Sequence, residues 1–155
     1  MRVEDVMSRG LDPVSPTATV QAAALQMAED DVGAVLVGSG ERLEGILTDR
    51  DIILRLVVEG RSPAEVSVRE VMSSTLFTCR PEDPLELVFD QMLERQVRRI
   101  PVLGPDDKPV GIVTLRDLVR LAPDSPRSAE MLRAYAGARR AEPAAEAPDR
   151  PADED

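Results

Sequence analysis

Apolar residues at Val20, Ala23, Ala24, Met27 and Ala28 recur every three or four positions, the period of one buried helical stripe. Leu85, Val88, Phe89, Met92 and Leu93 repeat that stripe with larger side chains. The second stripe follows Asp83-Pro84-Leu85-Glu86, which reads as an N-cap acid, a first-turn proline and a glutamate three positions on. A short apolar run comes next in each case, "VGAVLV" at 32–37 and "RRIPVL" at 98–103, and reads as a buried strand. After a polar turn, "LEGILT" (43–48) and "PVGIVT" (109–114) predict partner strands. Helices are then expected on "DRDIILRLVVEG", closed by Gly60, and on "LRDLVRLA", closed before Pro123. A brief leading strand is expected around Leu11–Val14 and again around Leu76–Cys79, and a last helix over Ser128–Arg140.

The two halves are copies. A displacement of 65 positions lays "VEDVMS" (Val3–Ser8) on "VREVMS" (Val68–Ser73), Pro16 on Pro81 and Gln26-Met27 on Gln91-Met92. One inserted residue in a turn makes it 66, and Gly45, Thr48 and Asp51 then meet Gly111, Thr114 and Asp117. Each copy therefore reads strand, helix, strand, strand, helix. We divide the chain into a first repeat (1–60), a linker (61–67), a second repeat (68–122), a C-terminal helical segment (123–140) and a tail (141–155). That tail holds six acids against one arginine and has no large apolar residue, so it is expected to be disordered.

Composition narrows the function. Hydrophobic residues make up 43% of the chain, enough for a core, but with only Phe77, Phe89 and Tyr135 as aromatics that core must be aliphatic. A net charge of −10 opposes nucleic acid and an anionic membrane surface, both of which require clustered Lys and Arg. No apolar run approaches the ~20 residues of a membrane span. A lone cysteine, Cys79, and an acidic start without signal-peptide character point to a soluble cytoplasmic protein.

Catalytic chemistry is sparse. Without histidine the usual general base and the commonest metal ligand are missing, and Cys79 has no activating partner among its apolar neighbours. The acid pairs Asp30-Asp31 and Asp106-Asp107 sit beside turns, where solvated acids are ordinary, and "GSG" at 38–40 lacks the Lys-Ser/Thr of a phosphate loop. No catalytic residue, metal ligand or cofactor is assigned.

What stands out is Gly-x-x-Thr-x-x-Asp, written twice where a strand gives way to a helix: Gly45, Thr48, Asp51 and Gly111, Thr114, Asp117. One reading is a capping box, with Thr serving an orphan amide and Asp the helix start. The other is an anionic ligand held at that helix start, the glycine leaving room for something to approach the backbone. Arg98-Arg99, entering "IPVL", suits a phosphate. The alternative is that one arginine faces solvent while the other pairs with Glu94.

The "VMS…P…" arms, the amphipathic helices, "RRIPVL" and "GIVTLRD" together resemble a pair of cystathionine-β-synthase-type (CBS) domains, over roughly Met1 to Ala122. The resemblance implies an α+β fold, a tandem pair of βαββα units packed sheet against sheet with pseudo-two-fold symmetry. It also implies clefts between the copies that take AMP, ADP, ATP or S-adenosylmethionine, sometimes a nicotinamide dinucleotide. Asp would hold the ribose hydroxyls and Thr would lie by the ribose and first phosphate. One cleft would use Thr114, Asp117, Arg98 and Arg99, with Leu11, Asp12, Val32 and Gly33 around the base. The other would use Thr48 and Asp51, with Leu76, Phe77, Val97 and Arg98 opposite. Where the second copy has Arg98-Arg99 the first has Gly33-Ala34, so the Thr48 cleft lacks its own phosphate clamp and should bind more weakly, take a less charged ligand or stay empty. A homodimer through exposed helix residues such as Val57 and Val58, and a separate effector protein, are implied partners. Three functions are weighed: a nucleotide-sensing regulatory module, a ligand-free dimerisation or scaffold module, and, last, an enzyme.

Overall fold

The computed structural model describes residues 1–121 and 123–137; the expected tail, and Ala138–Arg140 of the last helix, lie outside them. In the first repeat, helix α1 (Val20–Asp30) starts on Thr19, whose side chain accepts from the Ala22 amide. It ends on Asp31 in the left-handed region, with the Val32 amide returning to the Met27 carbonyl at 3.0 Å. Strands β1 (Ala34–Gly38) and β2 (Leu43–Thr48) form an antiparallel hairpin, with Ala34 opposite Thr48. Helix α2 (Asp49–Ile52) continues as a π turn over Ile53–Val57 and closes at Gly60, whose φ is +67°.

The second repeat follows the same plan. A one-turn helix α3 (Val68–Val71) precedes α4 (Leu85–Arg95), which ends on left-handed Gln96, 65 positions after Asp31. Strands β3 (Arg99–Leu103) and β4 (Pro109–Thr114) pair antiparallel with Arg99 opposite Thr114, and α5 (Leu115–Leu121) follows. Helix α6 (Pro126–Gly137) is the last element described.

Three expectations need correction. The leading strand of each repeat shrinks to one parallel bridge, Val14 with Val37 and Cys79 with Val102. Pro13 and Pro16 around Val14, and Pro81 just after Cys79, interrupt any longer ladder because proline has no amide to donate. Asp83 is not the N-cap of α4. Pro84 holds that position without a side-chain bond, and the Asp83 carboxylate accepts from the Arg80 amide at 2.7 Å instead. The helix expected at 49–60 is α-helical for only one turn before its hydrogen bonds widen into the π turn.

Each repeat's opening arm packs on the other repeat. The arm at 1–8 bridges Arg2 to Pro84 and Ser8 to Ile112, while the equivalent arm at 67–73 bridges Ser67 to Thr19 and Ser73 to Ile46. These pairs exchange under the 65/66 displacement, which makes the pseudo-two-fold symmetry explicit. The burial follows suit. One core joins Val3, Val6 and Met7 to Val88, Phe89, Met92, Ile100 and Leu118. The other joins Val66, Val68 and Val71 to Val20, Met27, Val35, Leu47 and Leu56. Neither repeat completes a core from its own segment of chain.

The exchange explains the repeated glycines. A Cβ at Gly111 would lie 2.5 Å from the Ser8 carbonyl oxygen, and one at Gly45 would lie 2.8 Å from that of Ser73. What approaches the backbone there is the partner arm, not a ligand. Arg55 reinforces one arm by donating to the Val71 and Met72 carbonyls at 3.1 and 2.9 Å. The apolar face suggested for dimer contact is exposed: Val57 and Val58 are joined there by Ile53 and Leu54. No helix among the described residues is long and apolar enough to cross a membrane.

Candidate functional site

The register of the second hairpin sets the site. Arg99 lies directly across from Thr114, so the residues entering β3 and those leaving β4 share one end of the sheet. The Arg98 carbonyl accepts from the Leu115 amide at 2.8 Å, which ties the strand entry to the first turn of α5. On that turn the Thr114 hydroxyl accepts from the Asp117 amide at 3.2 Å. The Asp117 carboxylate in turn takes the Thr114 amide at 3.1 Å and the Thr114 hydroxyl at 2.7 Å, both on Oδ2. The capping box is therefore real. It occupies one carboxylate oxygen; among the described residues nothing hydrogen-bonds Oδ1.

Asp117 and Thr114 open onto a cleft of about 800 Å³ lined by both repeats. Such a volume is in the range of small-molecule sites. The first repeat contributes Leu11, Asp31, Val32, Gly33 and Ala34, with Ser8 from the exchanged arm; the second adds Arg98, Arg99, Ile112, Leu115, Arg116, Val119 and Arg120; and α6 adds Leu132. Seven of the eight residues expected at this cleft from sequence line it, Arg98 and Arg99 included, and one of the seven is Gly33. It faces the Arg99 guanidinium and the Asp49 carboxylate, each within about 3 Å of the position a Cβ would take. Its missing side chain makes room for an arginine crossing from the other repeat. Asp12 is exposed and outside the lining, its carbonyl accepting from Gln26 at 3.1 Å.

Four arginines and two aspartates line this cleft, in a chain whose net charge is −10. Among the described residues Arg98 and Arg99 make no ion pair, with Glu94 or any other acid, and Arg98 instead lies over the Tyr135 ring with its guanidinium carbon 5.2 Å from the centroid. Unpaired guanidiniums beside an apolar wall form a local field opposite to that of the whole molecule. Arg116 and Arg120 were not singled out in the sequence, although their four-residue spacing on a short helix is a legible one-face signal. Leu132 had no such signal, since it lies outside the repeats.

The related positions in the first repeat differ. Thr48 and Asp51 form the same box, with Asp51 Oδ2 on the Thr48 amide at 3.0 Å and Thr48 Oγ1 on the Asp51 amide at 3.1 Å. Of the residues expected opposite it, Phe77 carries the Arg95 guanidinium 4.7 Å from its ring centroid, and Val97 packs on the core of Val88, Phe89 and Ile100. Leu76 is half-buried. No hydrogen bond, ion pair or ring contact among the described residues joins Leu76, Phe77 or Val97 to Thr48 or Asp51.

Other reactive groups are placed poorly for chemistry. Burial, and secondarily the charge of Asp83, pushes the Cys79 thiol up to about 12, so it stays protonated and unreactive at neutral pH. Asp107 is engaged by Arg80. Among the described residues no three His, Cys, Asp or Glu side chains cluster as a metal site would require.

Two arm-exchanged α+β units in pseudo-two-fold array, with a cleft between them at Thr114 and Asp117, define a tandem regulatory module of the CBS type. The CBS domain family model matches residues 3–58 and 68–124, and the chain belongs to that family. The chain is 41% identical over 116 residues to the CBS domain-containing protein YhcV of Bacillus subtilis, covering 75% of this chain and 81% of that one. Hypoxic response protein 1 of Mycobacterium tuberculosis is 35% identical over 121 residues, 77% and 84% of the two chains. Among solved structures, a conserved CBS domain protein of unknown function from Thermoplasma acidophilum, TA0289, superposes with a TM-score of 0.76 at 28% identity, over 88% of this chain and 77% of that one.

Proposed function

We propose that this CBS pair is a non-catalytic sensor that binds an adenine nucleotide in the Thr114/Asp117 cleft and passes its occupancy to a separate effector protein. The observation that carries the reading is the cleft itself: a carboxylate with an open oxygen and four guanidiniums line one groove shared by both repeats. A carboxylate oxygen can accept from the hydroxyls of a ribose cis-diol, as an acid does in dinucleotide folds. Ile112, Leu115, Val119, Leu11 and Val32 offer apolar surface for a base, and Arg98 and Arg99 offer in-plane donors for phosphate. A ligand touching both repeats binds one relative arrangement better than another, which is the condition for a population shift.

The arginine count predicts a ranking. Stabilisation should rise from S-adenosylmethionine through AMP to ADP and ATP, with NADH tested alongside, and should reach about 2.7 kcal/mol at 100 times the dissociation constant. Thermal denaturation of the protein and of Arg99→Ala reads this directly. The variant should lose the dependence on phosphate number while keeping a response to adenosine-bearing ligands. A protein whose melting temperature ignores every one of these ligands refutes the nucleotide reading.

A ligand-free scaffold is the second reading, and a specific observation favours it: both Thr–Asp pairs are satisfied as capping boxes without any ligand. It leaves the concentration of unpaired arginine in one cleft without a role. That same indifference of the melting temperature to nucleotides would establish it.

A further inference from the structure

Helix α6 lies outside both CBS matches, which end at residue 124, yet it reaches the cleft. It is firmly seated: Met131 and Ser128 are fully buried, and the Tyr135 hydroxyl is shared between the Met92 carbonyl at 2.8 Å and the Val97 carbonyl at 2.5 Å. Those two carbonyls belong to the last turn of α4 and to the residue just before Arg98. The Tyr135 ring is thereby fixed beneath the Arg98 guanidinium, while Leu132, one helical turn earlier, lines the cleft.

We infer that α6 is a third wall of the ligand site, in which Tyr135 acts as a positioning residue that holds Arg98 for the phosphates and Leu132 supplies apolar contact. This rests on reading the cleft as a nucleotide site. A guanidinium stacked on a ring spends its face and keeps its edge: the N–H donors lie in the guanidinium plane and remain available to an anion. Stacking also restricts a long side chain before the ligand arrives, which lowers the cost of ordering it on binding. The first repeat has no counterpart to α6 among the described residues, so the assignment further separates the surroundings of Thr114 and Asp117 from those of Thr48 and Asp51. By linkage, an occupied cleft holds α6 more tightly in place, and a binding event between the repeats thus reaches a surface beyond them.

Tyr135 is the only tyrosine and the chain has no tryptophan, so tyrosine emission reports on this one contact. Inorganic tripolyphosphate, which does not absorb where tyrosine does, should change that emission in the full chain and not in Arg98→Ala. Calorimetry with ATP and adenosine should show Tyr135→Leu weakening ATP by about fivefold and adenosine by less than about twofold, with Tyr135→Phe restoring ATP to within about twofold. Equal loss for ATP and adenosine would mean that Tyr135 merely braces the helix, and would overturn the positioning role. Unaltered ATP affinity in Tyr135→Leu, with constant emission in the parent, would remove α6 from the site and leave the nucleotide reading intact. If neither ATP nor tripolyphosphate binds the parent protein, both readings fall together.

Discussion

Asp117 serves two masters through two oxygens. Oδ2 closes the first turn of α5 on Thr114, while among the described residues nothing hydrogen-bonds Oδ1, and Asp117 lines the cleft. The capping and ligand readings of Thr-x-x-Asp are therefore compatible at residue scale, and a box that fixes the carboxylate also orients it. The doubled motif was fully legible in the sequence; its glycine was legible only as a demand for space. Nothing in "GIVT" says whether a ligand or a strand of backbone fills that space, because the filler is Ser8, about a hundred positions away. The structure gives the glycine a structural task, and the consequence is measurable. Gly111→Ala forces its Cβ into the Ser8 carbonyl and should cost about 1–3 kcal/mol in a denaturant titration. Full stability in that variant would show that the arm does not pack there. The Arg98–Tyr135 stack was likewise hidden, since it joins two residues with no shared period or spacing.

Elements were easier to read than their partners. The period of Val20, Ala23 and Met27, and of Leu85, Val88, Phe89 and Met92, located the 11-residue helix of each repeat, because one buried stripe leaves a 3.6-residue signature. The hairpins followed from short apolar runs around polar turns. The leading strands failed because proline cannot extend a ladder, although the prolines themselves were visible. Which repeat each opening arm covers was not visible at all: identical "VMS" arms satisfy either pairing equally well in one dimension. Exchange makes an unusual prediction at this scale. Val68 belongs to the second repeat by sequence but is fully buried in the core of the first. Val68→Ala should destabilise by about 2 kcal/mol and should raise amide exchange first in α1 and β1, whereas Val3→Ala should do so in α4 and β3. Loss of protection within the mutated residue's own repeat would contradict the exchanged arrangement.

At the scale of the whole molecule, duplication supplies two Thr–Asp capping boxes and divergence separates their surroundings. The pseudo-symmetry was written in the 65/66 displacement, and so was the asymmetry, since Arg98-Arg99 replaces Gly33-Ala34. The structure adds Arg116, Arg120 and the C-terminal helix to the same side, while Gly33 becomes the gap through which Arg99 crosses to the first repeat. A strongly acidic protein thus places four arginines in one groove between its halves. An anion bound there gains from both halves at once, and its binding is coupled to their arrangement.

The most direct test is a calorimetric titration of ATP into the full chain, Asp117→Ala and Asp51→Ala. The cleft geometry predicts one dominant site per chain, unchanged within about twofold in Asp51→Ala and weakened at least about tenfold in Asp117→Ala, the loss of a charge-assisted hydrogen bond. ATP binding that survives Asp117→Ala undiminished, or no binding to the parent at all, would contradict it.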